Sequence, residues 1–92
     1  MSVVVLGLSH RSAPITVLEA VALDPAGAAA LAIAVRRGEN VNEVLVLATC
    51  NRVEIYAVAA TFHGAVTEIS DALAAASGVP LAVLREHLYV HY

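Results

Sequence analysis

The chain has 92 residues, 60% of them apolar and 14% charged, with a formal net charge of −3. This excludes a disordered chain, which is poor in apolar residues and rich in net charge, and five arginines against eight acids leave no basic footprint for a self-sufficient nucleic-acid binder. The length suits one domain, and an apolar surplus in so short a chain points to a fragment with a face covered by something else.

Val3-Val4-Val5-Leu6-Gly7-Leu8 is a β-branched run and reads as a buried strand. The polar stretch Ser9-His10-Arg11-Ser12-Ala13-Pro14 ends it, with Ser12 suited to a turn or to the N-cap of the next helix, Ile15–Leu23. Asp24-Pro25 is a helix start: Asp caps free amides and Pro fits the first turn. That helix is expected to run to Arg37, with Gly38 as a left-handed terminal residue and Arg36 and Arg37 at its negative end. Val41–Ala48 reads as the second strand, centred on Val44-Leu45-Val46-Leu47, and Thr49-Cys50-Asn51-Arg52 interrupts it.

A third strand follows over Val53–Val58, where Val53, Ile55 and Ala57 alternate with Glu54, Tyr56 and Val58. Phe62–Ser77 is predicted as a long helix with an apolar stripe at Val66, Ile69, Leu73 and Ala76, and with Glu68 and Asp71 facing water. Gly78 ends it, Pro80 blocks continuation, and Pro80–Glu86 makes one or two helical turns. His87–Tyr92 reads as the last strand. The order β-α-β-β-α-β is that of the ferredoxin-like split βαβ motif. It predicts an α+β fold, a four-stranded antiparallel sheet with helices on one face and an apolar outer face. The first and third strands would be central neighbours; whether the loops at Ser9 and Cys50 meet stays open from the pattern.

The longest nearly uncharged apolar stretch, Ala26–Val35, is ten residues, about half of what a membrane span needs. The start, Met1-Ser2-Val3, lacks the charged region of a secretory signal. Neither a membrane nor DNA is expected as a partner. Cys50 is the single cysteine, which favours a reducing, cytoplasmic setting.

Cys50 also carries the chemical interest. A lone cysteine is often a buried small hydrophobe, but Thr49, Asn51 and Arg52 are poor company for a core residue. At a strand end the sulfur would be presented to a substrate, with a positive charge nearby at Arg52 and hydrogen-bonding groups on Thr49 and Asn51. Ser9 and His10 form a second polar loop, with His10 equally readable as an exposed loop residue or helix cap. His87 and His91 share a strand face too far apart for a metal site, His63 sits on an exposed helix face, and Tyr56, Tyr89 and Tyr92 read as core-edge aromatics. Glu39 and Glu43, like Glu68 and Asp71, read as solvated. No Gly-x-Gly-x-x-Gly and no P-loop occurs.

Gly7-Leu8-Ser9-His10-Arg11-Ser12-Ala13-Pro14, with Glu19 following, resembles the opening motif of the glutamyl-tRNA reductase family. Leu47-Ala48-Thr49-Cys50-Asn51-Arg52-Val53-Glu54-Ile55-Tyr56 resembles that family's active-site motif and is the more specific match; Leu88-Tyr89-Val90-His91 fits the segment beyond. The resemblance covers essentially the whole chain and the first part of the family's catalytic domain. It implies that Cys50 attacks the ester of glutamyl-tRNA and forms a thioester. Hydride from NADPH then releases glutamate-1-semialdehyde, a precursor of tetrapyrroles and haem. Thr49 and Arg52 would hold the glutamyl group, and Ser9 and His10 would line the pocket. The family's NADPH-binding and dimerisation domains and its histidine near the nucleophile are expected to lie outside these residues, so the fragment alone would be inactive. His91 does not match the histidine motif, and Leu18 stands where the family usually has a basic residue. A homodimeric parent and a downstream aminomutase partner are further implications. The alternatives are a non-catalytic interaction module that assembles through the apolar sheet face, and regulatory haem binding by Cys50 or a histidine.

Overall fold

The computed structural model describes residues 2–92. The initial β-branched run forms strand β1 (Ser2–Ser9), in which alternate residues Val4, Leu6 and Leu8 are fully buried. Helices α1 (Ile15–Val21) and α2 (Pro25–Arg36) follow. Strands β2 (Val41–Ala48) and β3 (Arg52–Ala59), helices α3 (Phe62–Ser77) and α4 (Leu81–His87), and the short strand β4 (Tyr89–His91) complete the order. The sheet runs β2-β3-β1-β4 with every pairing antiparallel, so β1 and β3 are the central neighbours, as the split βαβ order requires. Val53, Ile55 and Ala57 of β3 join the β1 residues in one core with Leu18, Leu31, Val35, Ile69, Leu73 and Leu84 from the four helices. The other sheet face is left to Val3, Leu45, Tyr56, Glu54 and Tyr89. Among the described residues no single helix is long and apolar enough to cross a membrane.

Where a local chemical signal is strong, the expected boundary holds. Asp24 caps α2, its Oδ1 accepting the Gly27 amide at 2.6 Å, with Pro25 in the first turn. Asp24→Ala is expected to cost about 1 kcal/mol and to lower the thermal midpoint by roughly 4–8 °C, measured by a circular-dichroism melt. Gly78 ends α3 with φ 74°, the left-handed conformation that glycine adopts without a Cβ clash.

Several boundaries and faces differ. Gly38 is not left-handed: Gly78 is the one glycine with positive φ among the described residues. Gly38 is instead a point of close approach, because a Cβ there would lie 2.6 Å from the Glu68 carboxyl carbon. Glu68 is correspondingly not a solvated residue. Its carboxylate accepts the amides of Glu39 (3.1 Å) and Asn40 (3.2 Å) and the Asn40 side-chain amide (2.9 Å), tying α3 to the turn before β2. The buried residues of α3 are Ala65, Ile69, Ser70 and Leu73, with Val66 half-buried against them, while Ala76 is exposed. The centre of β2 is only half buried: Leu45 and Leu47 are 65% and 41% exposed because the helices cover one sheet face only. A register shift between Val41 and Glu43 puts Val41 inward together with Val44 and Val46. The last strand is shorter than expected, since His87 ends α4 and Leu88 turns the chain. Finally, α1 stops at Val21, and its N-cap position is Pro14, which makes no side-chain bond, so Ser12 acts in the preceding turn.

Candidate active site

The two polar loops meet. Ser9, the last residue of β1, pairs with Arg52, the first of β3, and the His10 amide donates to the Asn51 carbonyl at 3.0 Å. The meeting follows from the topology, because antiparallel central strands bring the end of β1 beside the start of β3.

The Cys50 loop closes between the last residue of β2 and the first of β3. The Thr49 amide donates to the Arg52 carbonyl at 2.8 Å, and Thr49 Oγ1 accepts the Asn51 amide at 3.2 Å. This pins the backbone on both sides of Cys50, whose thiol is exposed rather than packed in the core. Thr49, Asn51 and Arg52 are exposed beside it, and so is His10 on the facing loop. Ser9 is buried and occupied by its turn. Its hydroxyl accepts the Arg11 amide at 3.2 Å, while its own amide donates to Ser12 Oγ at 3.0 Å. His87 Nδ1 donates to the Ser12 carbonyl at 3.2 Å, so the end of α4 braces the same turn. The six candidate residues thus share one end of the sheet: four at the exposed tip with Cys50, and Ser9 beneath as a support.

Beside this end lies a cluster that the alternation pattern does not reveal. Glu54 sits on the outer sheet face, where exposure is expected, yet it is only 7% exposed. Its Oε2 accepts the Tyr89 hydroxyl at 2.7 Å, its Oε1 accepts the Tyr56 hydroxyl at 3.0 Å, and Arg52 Nη1 stands 3.6 Å from Oε1. Gly7 lies between Glu54 and Tyr89 in the sheet. A Cβ on Gly7 would come within 2.8 Å of the Tyr89 ring and 2.9 Å of Glu54 Cγ, so the contact needs glycine there. The sequence signals were a glycine inside a strand and the same-face pair Glu54 and Tyr56. Tyr89 and Tyr56 are therefore hydrogen-bond donors and not merely edge aromatics.

The Tyr89 hydroxyl, with Tyr56 and Arg52 assisting, holds the Glu54 carboxyl below its ordinary range against the opposing effect of burial. Burial, then the bond to Glu54, pushes Tyr89 up to about 12. A raised tyrosine pKa contributes stability that is complete below the unfolded-state value near 10 and is lost as pH rises towards the folded value. Stability is therefore expected to fall between about pH 10 and 12, and Tyr89→Phe to flatten that alkaline limb in denaturant titrations run across the window. The Glu54 contribution has the opposite sense: present at neutral pH and lost as acid protonates the carboxylate.

A groove of about 560 Å³ between α2 and β2, lined by Ile33, Arg36, Arg37 and Glu43, contains none of the six candidates. His87 and His91 lie on a helix and a strand respectively, not on one strand. Among the described residues no three His, Cys, Asp or Glu side chains converge as a metal site.

The family described as "Glutamyl-tRNAGlu reductase, N-terminal domain" matches residues 6–92. Three curated relatives are similar over all 92 residues. They are glutamyl-tRNA reductase 1 of a Nocardioides species (48% identical, 21% of the relative covered), glutamyl-tRNA reductase of Frankia alni (46%, 20% covered) and that of Corynebacterium glutamicum (40%, 20% covered). The chain spans about a fifth of the length of these relatives.

Proposed function

The chain belongs to the glutamyl-tRNA reductase family, matching its amino-terminal domain, and from that premise we propose that it is the acyl-accepting part of such an enzyme, with Cys50 as nucleophile. The observation that carries this is an exposed Cys50 on a backbone-pinned loop, beside Arg52 and against the His10 loop. Cys50 Sγ, deprotonated, attacks the carbonyl carbon of the ester between glutamate and the terminal ribose of its tRNA. The C–S bond forms, the C–O bond breaks, and the ribose oxygen leaves and takes up a proton. A glutamyl thioester remains on Cys50. Thr49 and Asn51 frame the nucleophile, the Arg52 guanidinium takes the side-chain carboxylate of the glutamyl group, and His10 closes the far side.

In the family reading, NADPH would be the hydride source for glutamate-1-semialdehyde, a tetrapyrrole and haem precursor. The described residues do not fit a dinucleotide. The sheet is antiparallel, the turn after β1 has no glycine, and Gly7 lies under Tyr89 and Glu54. The part proposed for them is therefore the acyl transfer. The reading extends to a cytoplasmic, homodimeric enzyme that passes its product to an aminomutase. With a net charge of −3, these residues lack the basic surface of a self-sufficient nucleic-acid binder.

The test is release of tRNA without NADPH. Full-length protein mixed with excess glutamyl-tRNA should free a burst of about one equivalent of tRNA per reactive thiol, any later release being limited by hydrolysis of the thioester; absence of the burst would contradict the proposal. A second reading, self-association through the outer sheet face, is favoured by exposed Val3, Leu45 and Leu47. Sedimentation that stays monomeric at high concentration would remove it.

A further inference from the structure

Glu54 is the anomaly of the outer sheet face. A carboxylate buried there loses hydration that only charged or hydrogen-bonding partners restore, and an apolar residue would fill the place at less cost. The fold nonetheless keeps the acid, gives it two phenol donors and leaves out a side chain at Gly7 to make the Tyr89 contact possible. Its third neighbour is Arg52. The Glu54 side chain is 9% exposed and that of Arg52 45% exposed, so a fixed, doubly clamped carboxylate faces a guanidinium that reaches into solvent two residues from Cys50. A guanidinium has five donors along two edges. With Nη1 turned towards Glu54 Oε1 at 3.6 Å, another edge is left to meet an incoming carboxylate in the paired geometry that arginine favours.

We propose that Glu54 is a positioning residue for acyl-group selectivity: held by Tyr56 and Tyr89 over Gly7, it anchors one edge of the Arg52 guanidinium and aims the rest at the substrate's side-chain carboxylate, setting the preference for a glutamyl over a glutaminyl ester. This rests on the roles given above to Cys50 and Arg52. It differs from a purely structural role, which would affect both esters alike. It also differs from simple charge attraction, because removing the Glu54 charge leaves the site with more net positive charge, yet Arg52 unaimed.

The experiment compares tRNA charged with glutamate and the same tRNA charged with glutamine, as substrates for thioester formation by the full-length protein. The kcat/KM ratio of the two is measured for wild type, Glu54→Gln and Tyr89→Phe. Glu54→Gln is expected to lower the ratio about tenfold, mainly by raising KM for the glutamyl ester. Tyr89→Phe, which removes the 2.7 Å bond and keeps the ring, should shift the ratio the same way by less. Alkylation of Cys50 by neutral iodoacetamide should not change in either variant. Glu54→Asp should partly restore the ratio. A ratio unchanged in folded Glu54→Gln and Tyr89→Phe proteins, or rates that fall equally for both esters, would overturn the proposal while thioester chemistry survives. A wild-type protein that forms no thioester would instead overturn the reading on which the proposal rests.

Discussion

Cys50→Ala is expected to lower acyl transfer from glutamyl-tRNA by at least about a thousandfold, about 4 kcal/mol of transition-state stabilisation. Its effect on stability should stay within about 0.5 kcal/mol, the range of exposed substitutions. The separation of the two effects is the informative part. Cys50 is exposed at the tip of a loop whose bonds are all made by other groups: the Thr49 amide and hydroxyl, the Asn51 amide and the Arg52 carbonyl. Removing the sulfur therefore takes away the proposed nucleophile and no packing. Cys50→Ser keeps the shape but offers a far weaker nucleophile and should fall close to the alanine variant. Thermal melts beside single-turnover tRNA release check both halves. A variant that kept wild-type transfer would move the chemistry to another residue, and one that unfolded would show that the thiol is structural.

The largest expected loss of stability is at Ile55→Ala. Ile55 is fully buried in β3, opposite Leu6 of β1 and Val46 of β2. Truncating such a side chain costs about 2–5 kcal/mol, a large share of the roughly 5–15 kcal/mol that holds a domain together. The thermal midpoint should drop by at least about 10 °C. Strand β3 is a shared wall: its inner face packs the core through Val53, Ile55 and Ala57, and its outer face carries Arg52, Glu54 and Tyr56. Leu45→Ala on the outer face, 65% exposed, is the control and should cost less than about 0.5 kcal/mol. Comparable losses at both positions would mean that the outer face is covered in solution.

The sequence was most legible where one residue's own chemistry decides the structure. Asp24-Pro25 and Gly78 mark helix ends through local bonds and backbone freedom, and the period-2 run of β3 follows from a one-sided core, whereas β1 reads as a continuous apolar run and the exposure of Val3 comes from the sheet having helices on one face. The element order then yields the sheet order, because few topologies fit it. What stayed hidden depends on contacts distant in sequence. The tie between His10 and Asn51 exists because β1 and β3 are neighbours, a consequence of folding rather than of local pattern. Gly38 looked like a helix stop but makes room for Glu68, which lies in α3. Glu54 alternates like an exposed residue, and its burial comes from Tyr89, in a strand formed at the far end of the chain. Cys50 was recognisable because its polar neighbours and their spacing are local, and the exposure of its thiol is what the loop geometry adds.

The most direct test of the catalytic reading is to find the acyl group on the sulfur. Full-length protein is mixed with glutamyl-tRNA without reductant, quenched in acid, and analysed by intact mass and peptide mapping. One glutamyl group on the peptide containing Cys50, labile to hydroxylamine and missing from Cys50→Ala, is the predicted result. An unmodified Cys50 peptide under conditions that release tRNA, or an adduct on another residue, would contradict it.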